Sequence, residues 1–500
     1  SKLYSALVNK RITNYLENND KLVDEQNGFR RNRSCEDHIF TLNSAIRNND
    51  KLYVAFIDLK KCFDFVDREM MLYKLLVNNI DGKIYNSIKS IYNSSESCVK
   101  LNGRLTDWFP CTTGVKQGDN LSPTLFSIFI NDLIAELNEL NIGIDISDRK
   151  LSALLYADDI ALLAKSEDDL QLLLNKLGDW CKRWRVLINT NKSKCVHFRK
   201  SKCKQTDYNF MIGRNKLEVV DQYKYLGVIF TFNGNFTTTA EALSKGAGRA
   251  LGKIISNIHS FKEIGIKSFE KLFYSCVVPI LDYASGVWGN RKFQAIENIQ
   301  NRSIRYFLGV HRFAPLLGIY GDIGWIPCHY RHWTNIVRLW NRLVQFDDNR
   351  ITKQAFNHDY EKCRNNWCSD FKDILMKLGI VDYFERKDVI SMTLFESILK
   401  EHYNCLWKND IVKTPKLRTY VKLKTNFGIE TYVKLNLNKT ERSFLTQLRC
   451  GILPLRLETG RYSGEQPNER LCKFCNSNSM EDECHFILHC SLYNDLREST

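Results

Sequence analysis

Leu151-Ser152-Ala153-Leu154-Leu155-Tyr156-Ala157-Asp158-Asp159-Ile160-Ala161-Leu162-Leu163-Ala164 is an apolar, strand-like run interrupted by two adjacent acids. Two apolar arms around a short polar tip read as a tight β-hairpin. Adjacent carboxylates are costly to bury unpaired, so the tip faces solvent or a bound cation. A hard divalent ion with oxygen ligands suits it best. Taken alone, the pair reads equally well as a surface turn, where Asp is common.

A second run shifts that balance. Leu52-Tyr53-Val54-Ala55-Phe56-Ile57-Asp58-Leu59-Lys60-Lys61-Cys62-Phe63-Asp64-Phe65-Val66-Asp67 reads as a buried strand that passes into a turn and a helix. Asp58 stands at the carboxyl end of that strand, where α/β folds commonly place chemistry. Pairing the strand with the hairpin in one sheet brings Asp58 to Asp158 and Asp159. Three carboxylates at one sheet edge suit two Mg²⁺, the arrangement that activates an attacking hydroxyl and stabilises a leaving oxyanion in phosphoryl transfer. Asp64 and Asp67, three apart, are read as a helix start or surface ion pair.

The 500-residue chain is long enough for two to four domains, and its 44% hydrophobic content supports folded cores. With 72 Lys+Arg against 57 Asp+Glu, the formal charge of +15 favours a polyanionic partner, nucleic acid first. Ser1 to Lys10 has no signal-peptide core and no stretch is long and uncharged enough to span a bilayer, so no membrane partner and a soluble nuclear and cytoplasmic setting are expected. The 17 cysteines are scattered through apolar segments, which argues for reduced core thiols over a secreted disulfide framework.

Residues 1–50 open with an amphipathic helix whose buried face is read as Leu3, Leu7, Ile12 and Leu16. Three arginines, Arg30, Arg31 and Arg33, then follow Gly28 in a loop suited to phosphate. Gly114-Val115-Lys116-Gln117-Gly118-Asp119-Asn120-Leu121-Ser122-Pro123 leads into an apolar helix with Ser122 expected as N-cap and Pro123 at its first position. Ser166 and Asp169 form a capping-box pattern for a helix that buries Leu170, Leu173, Leu174, Leu177, Trp180 and Trp184. Behind it, Arg183, Arg185, Lys192, Lys194, Arg199, Lys200, Lys202 and Lys204 read as a nucleic-acid track or a solvated face. Tyr223 to Ile229 reads as a short strand pair, and helical periodicity dominates from 236 to 440, with Phe261, Lys262, Lys267, Phe269, Arg302, Arg305 and Tyr306 mixing basic and aromatic character.

Near the end, Cys472, Cys475, His485 and Cys490 leave two, nine and four residues between them, a spacing that suits tetrahedral structural Zn²⁺. Cys484 or His489 offers an alternative ligand, and Arg449, Arg456, Arg461 and Arg470 precede the cluster.

In this order the motifs resemble the palm of reverse transcriptases: Phe-Ile-Asp58-Leu-Lys-Lys-Cys-Phe-Asp-Phe-Val-Asp, Gln117-Gly118-Asp119-Asn120-Leu121-Ser122-Pro123, Tyr156-Ala157-Asp158-Asp159 and Tyr225-Leu226-Gly227. Asn27 to Ser34 resembles the fingers motif before them. The likeness is greatest to non-long-terminal-repeat (LINE-like) retrotransposons of the jockey and chicken-repeat type. It is strong over about 20–230 and weaker across 236–330, where it rests on Tyr283 to Trp288 and Ile299 to Arg302.

The resemblance implies an α+β right-hand polymerase with a helical C-terminal region and a small zinc knuckle. The expected divisions are partial fingers over 1–50, palm with remaining fingers over 51–230, thumb over 231–330, connector over 331–440, and a basic segment with the knuckle over 441–500. It implies Asp58, Asp158 and Asp159 as catalytic carboxylates, with the Leu59 carbonyl as a further ligand to two Mg²⁺, or Mn²⁺. Phe63 is implied as the steric gate against a ribose 2′-hydroxyl. Gln117 is implied at the incoming nucleotide, with Gly118 permitting close approach, and Ala157 beside the primer sugar. The triphosphate falls to Arg30 or Arg33, and the pyrophosphate to Lys192, with Lys194 its rival. Partners are an RNA template, a DNA primer or target site, and deoxynucleoside triphosphates, and the Cys-Cys-His-Cys element adds nucleic-acid binding. The family's first palm-fingers motif and an endonuclease are missing, which reads as a fragment. The implied activity is RNA-directed DNA synthesis; a non-catalytic RNA-binding remnant is the alternative.

Overall fold

A computed structural model describes residues 2–93, 95–146, 149–259 and 264–499; Phe261 and Lys262 lie outside them. The chain divides into two compact units, residues 1–239 with 342–373, and residues 240–341 with 374–500.

In the first unit, helices α1 (Lys2–Asn18) and α2 (Cys35–Asn48) precede strand β1 (Lys51–Asp58). Six consecutive buried residues in β1, Leu52 to Ile57, mark a central strand covered on both faces. Helix α3 (Ser122–Asn138) follows, then β2 (Ala153–Tyr156), β3 (Asp159–Ala164), α4 (Glu167–Arg183), β4 (Lys194–Arg199), β5 (Glu218–Val219), β6 (Gln222–Tyr225) and β7 (Val228–Thr231). The main sheet runs β5-β4-β1-β3-β2. Its pairs are antiparallel except β4–β5.

Alternation along β1 divides the core. Tyr53, Ala55 and Ile57 join Leu125, Phe129 and Leu133 of α3 and Leu170, Leu174 and Leu177 of α4 in one apolar cluster. On the other face, Phe56 stacks on Tyr223 of the β6–β7 hairpin at 4.4 Å. Ser166 caps α4 by accepting from the Asp169 amide at 3.1 Å, and Leu170, Leu173, Leu174, Leu177 and Trp180 are its buried face, whereas Trp184 stands past the helix end and is half-buried.

Three sequence expectations shift. Leu3 and Leu7 are exposed, and α1 buries Ser5, Val8, Ile12 and Leu16, a face rotated from the one read off the leucines. Helix α3 is capped by Leu121 and begins at Ser122, whose hydroxyl donates to the Lys116 carbonyl at 2.6 Å and pins the preceding glycine loop. The stretch 331–440 is divided between the units: helix Ile351–Lys362 returns to α2, where Ser44 donates to Asp359 at 2.6 Å, and Arg350 pairs with the fully buried Asp37 at 2.7 Å. Partners some 310 residues apart leave no local sequence signal.

The second unit is helical. Helices α5 (Gln294–Leu308) and α6 (Lys439–Arg449) meet in it, because Arg442 donates to the Phe307 carbonyl at 2.7 Å and Ser443 to that of Gly309 at 2.7 Å. Among the described residues no helix is long and apolar enough to cross a membrane.

Candidate active site and metal knot

Strand register builds the acidic edge. Asp58, the last residue of β1, lies directly opposite Asp159, the first of β3, while Tyr156 pairs with Asp159 across the hairpin and leaves Ala157 and Asp158 as its two-residue turn. All three carboxylates are half-buried. Cys62 donates its thiol to Asp158 at 3.3 Å, and Asn189 donates its amide to Asp58 at 2.9 Å. Burial, then the charges of Asp158 and Asp58, push the Asp159 carboxyl up to about 6. Burial and the Asp158 carboxylate likewise raise the Cys62 thiol well above its ordinary range.

A cation relieves this repulsion, and the donor set is all hard oxygen, so the edge fits Mg²⁺. Past Asp58 only Leu59 continues the ladder, bridging to Ile188 before the chain turns, with Lys60 donating to the Leu187 carbonyl at 2.7 Å and Asn189 to that of Asp58 at 2.8 Å. Those two bonds do not use the Leu59 carbonyl.

The hairpin turn is held by a residue the sequence did not single out. Ala157 sits in the left-handed region at φ 58°, a conformation that costs a residue bearing a Cβ about 1–2 kcal/mol. The fully buried Gln26 brackets it: its side-chain oxygen accepts from the amides of Ala157 at 3.0 Å and Gly28 at 2.9 Å. Its Nε2 donates to the Ala157 carbonyl at 3.4 Å. Residues 25–27 run parallel to β2, with Leu155 donating to Glu25 and accepting from Asn27. A Cβ on Gly28 would lie 2.2 Å from the Ala157 nitrogen, so only glycine permits this approach.

Phe63 stacks on Phe126 at 4.8 Å and meets Phe29 edge-on at 6.3 Å, half-buried between core and surface. The glycine loop lies on the turn that carries it: Val115 donates to the Phe63 carbonyl at 2.8 Å, and Gln117 donates to Asp64 at 2.8 Å. Gly118 has φ 79° with open space around it. Asp64 thus ties this loop, while Asp67 caps helix Arg68–Val77 as expected. Lys192 is exposed on the 189–193 loop that grips Asp58, whereas Lys194 is paired with Glu218 at 2.9 Å.

The two arginines expected at the triphosphate, Arg30 and Arg33, have acidic partners within the domain. Arg30 forms a bidentate pair with Glu17, at 2.9 and 2.7 Å, and donates to the Val23 and Gln26 carbonyls. Arg33 pairs with Asp24 and donates to Asn27 at 3.0 Å. Neither reaches a phosphate without giving up partly buried partners. Arg31 is the exposed arginine of the loop.

Residues 1–230 match the family model described as reverse transcriptase (RNA-dependent DNA polymerase). They form a reverse transcriptase domain. The carboxylate edge, the Phe63 turn and the Tyr225-Leu226-Gly227 hairpin all lie within this reverse transcriptase domain. The chain is 26% identical over 318 residues to a probable RNA-directed DNA polymerase from transposon BS of Drosophila melanogaster, covering 61% of this chain and 34% of that protein. It is 26% identical over 298 residues to the RNA-directed DNA polymerase from mobile element jockey of Drosophila funebris, 58% of this chain and 32% of the other. It is also 31% identical over 194 residues to a retrovirus-related Pol polyprotein from a type-1 retrotransposable element R2 of Nasonia vitripennis, 37% of this chain and 18% of the other. The chain thus spans about a third or less of the length of these relatives. Among solved structures, apo telomerase from Candida tropicalis overlays 77% of this chain and 61% of its own at 12% identity and a TM-score of 0.37, too loose a match to carry an argument.

Beyond the reverse transcriptase domain, the ligand atoms of Cys472, Cys475, His485 and Cys490 lie within 4.8 Å of one another. The Cys475 thiol stands 3.3 Å from His485 Nε2 and is lowered to about 6, chiefly by the Ser477 hydroxyl. Two soft thiols, a third and an imidazole converging this closely fit tetrahedral Zn²⁺. Cys484 and His489 are exposed and stand outside the group.

Both basic clusters read from sequence are largely neutralised. Arg183 pairs with Glu136, Arg185 with Asp67, Lys194 with Glu218, Arg199 with Asp221 and Lys200 with Asp50. Near the knot, Arg449 pairs with Asp322, Arg456 with Glu465 and Arg461 with Glu458, and Arg470 donates to the Leu457 carbonyl. All four arginines expected to serve nucleic-acid binding thus have partners within the chain.

Proposed function

We propose that the chain is the polymerase part of a non-long-terminal-repeat retrotransposon protein, an RNA-directed DNA polymerase that extends a DNA 3′-end on an RNA template. The observation that carries this reading is the Asp58–Asp159 register pair with Asp158 at the adjoining turn. Two Mg²⁺, or Mn²⁺, held by Asp58, Asp158, Asp159 and the Leu59 carbonyl would supply a lowered pKa for the primer hydroxyl and charge neutralisation for the leaving pyrophosphate.

The protein's own groups do the positioning. Asn189 and Cys62 orient the carboxylates, Gln26 and Gly28 hold the turn, and Ala157 lies beside the primer sugar. Gln117, fixed by Asp64, meets the incoming deoxynucleoside triphosphate, Gly118 gives the backbone room, and Arg31 and Lys192 bring positive charge to its phosphates. Phe63, wedged between Phe126 and Phe29, has little freedom to yield to a 2′-hydroxyl. The second unit supplies the thumb, and a zinc-bound Cys472-Cys475-His485-Cys490 knuckle serves nucleic-acid binding.

Primer extension on poly(rA)·oligo(dT) with Mg²⁺ tests the reading. The chain is expected to incorporate dTTP and reject UTP, and Phe63→Ala to admit UTP. No extension with dTTP by the unmodified chain contradicts the reading.

A further inference from the structure

The second unit contains an open groove of about 710 Å³ where the end of α5 meets the start of α6, lined by Arg302, Arg305, Tyr306, His311, Arg312 and Lys439. Among the described residues no acidic one lines it. We propose that this groove holds the sugar–phosphate backbone of a nucleic-acid strand, an inference that rests on the reading above that the chain works on nucleic acid.

The groove is preformed. Gly309 ends α5 at φ 72°, and a Cβ there would come within 2.8 Å of the Ser443 Cβ, so glycine is what lets α6 close on the helix end. Arg442 and Ser443 then bond the carbonyls of Phe307 and Gly309, so the end of α5 is satisfied from α6.

Arg302 and Arg305 are three apart and share one helix face. Neither they nor Arg312 has a carboxylate partner among the described residues, in contrast to the paired cations at 183–200 and 449–461. Arg305 keeps its Nε buried with no hydrogen-bond acceptor, a cost that an incoming phosphate oxygen would remove. Lys439 stands 4.4 Å over the Tyr306 ring, which holds its ammonium at the groove wall. Cations spread along an open groove, from two helices and the loop after α5, match successive phosphates on a strand better than one compact anion.

The test is titration of fluorescent 20-mers of rA and dT with the full chain over a range of salt. Arg302→Glu/Arg312→Glu is compared with Arg302→Lys/Arg312→Lys and with Lys377→Glu/Lys400→Glu, a charge-matched control on exposed residues of the same unit. The glutamate pair is expected to weaken binding at least about tenfold and to lower the salt slope by about 1.4, at about 0.7 for each lost phosphate contact on a single strand. The lysine pair should bind within about threefold of the parent, and the control should keep its slope. Loss for both strands identifies the shared phosphate backbone, and loss confined to rA assigns the groove to RNA. Equal weakening by groove and control variants, or an unchanged slope in the glutamate pair, overturns the proposal. An unmodified chain that binds through the groove without extending a primer would sink the polymerase reading alone.

Discussion

The acidic edge of the reverse transcriptase domain and the Cys/His knot near the C-terminus gather metal-type ligands by opposite means. At the edge, Asp58 and Asp158 are a hundred residues apart and meet because three strands pair in one register. In the knot, all four ligands fall within 472–490, and beyond the Leu471–Met480 bridge and short helical turns little regular structure holds them. The first site is a product of the fold, and the apolar cluster beneath it does not depend on a cation. The second has no comparable core, so a metal would contribute directly to its folding. On the proposed reading, one polymer holds one site where a metal would serve chemistry and one where it would serve structure.

That contrast is sharpest under chelation. Cys475→Ser is expected to eliminate bound zinc, from about one equivalent to none, and to open amide exchange in residues 470–490 while β1 to β3 stay protected. Hydrogen exchange read by mass spectrometry separates the outcomes: retained zinc, or loss of protection in the sheet as well, contradicts the division.

Gln26→Leu comes next in size. It leaves Ala157 without its bracket yet removes no group that touches substrate, so kcat should fall by about 10- to 100-fold while the KM for dTTP changes little. A rise in KM with kcat preserved would assign Gln26 to substrate binding instead.

The smallest effect is on stability. The Asp159 carboxyl binds its proton more tightly in the folded chain, at about 6, than in the unfolded one. The metal-free protein should therefore lose stability as pH rises from the ordinary carboxylate range to about 6, and level off above it. Asp159→Asn should stabilise the metal-free chain at pH 7 by about 1–2 kcal/mol, allowing for screening at a half-exposed site, and should flatten that slope. Urea unfolding at pH 5 and 7 in EDTA measures both, and an Asn variant no more stable at pH 7 would show that the carboxylates do not repel one another.

The comparison also separates what the sequence reveals from what it hides. The hairpin, the position of Asp58 and the stripe of α4 were legible because burial periodicity is local. The ligand spacing of the knot was legible for the same reason. Gln26 was not, since its role depends on Leu155 and Ala157, 129 and 131 residues away, and a glutamine in a loop carries no pattern of its own. The cations at 183–200 read as either a nucleic-acid track or a solvated face because their partners, Glu136, Asp67, Glu218, Asp221 and Asp50, come from other elements. Arg30 and Arg33 likewise have partners their own loop motif does not show, Glu17 and Asp24. In this chain, charge in sequence marked polar surface, and only the pairing showed which cations stay available.

The most direct test of the central claim is a carboxylate series in Mg²⁺-dependent primer extension on an RNA template. Asp58→Ala and Asp158→Ala should each lower extension by about a thousandfold or more. Asp145→Ala, an exposed carboxylate of the same unit paired with Lys150 and Lys165, should extend as the parent does. Extension that survives loss of Asp58 or Asp158 would contradict the assignment of the β1–β3 edge as the site of synthesis.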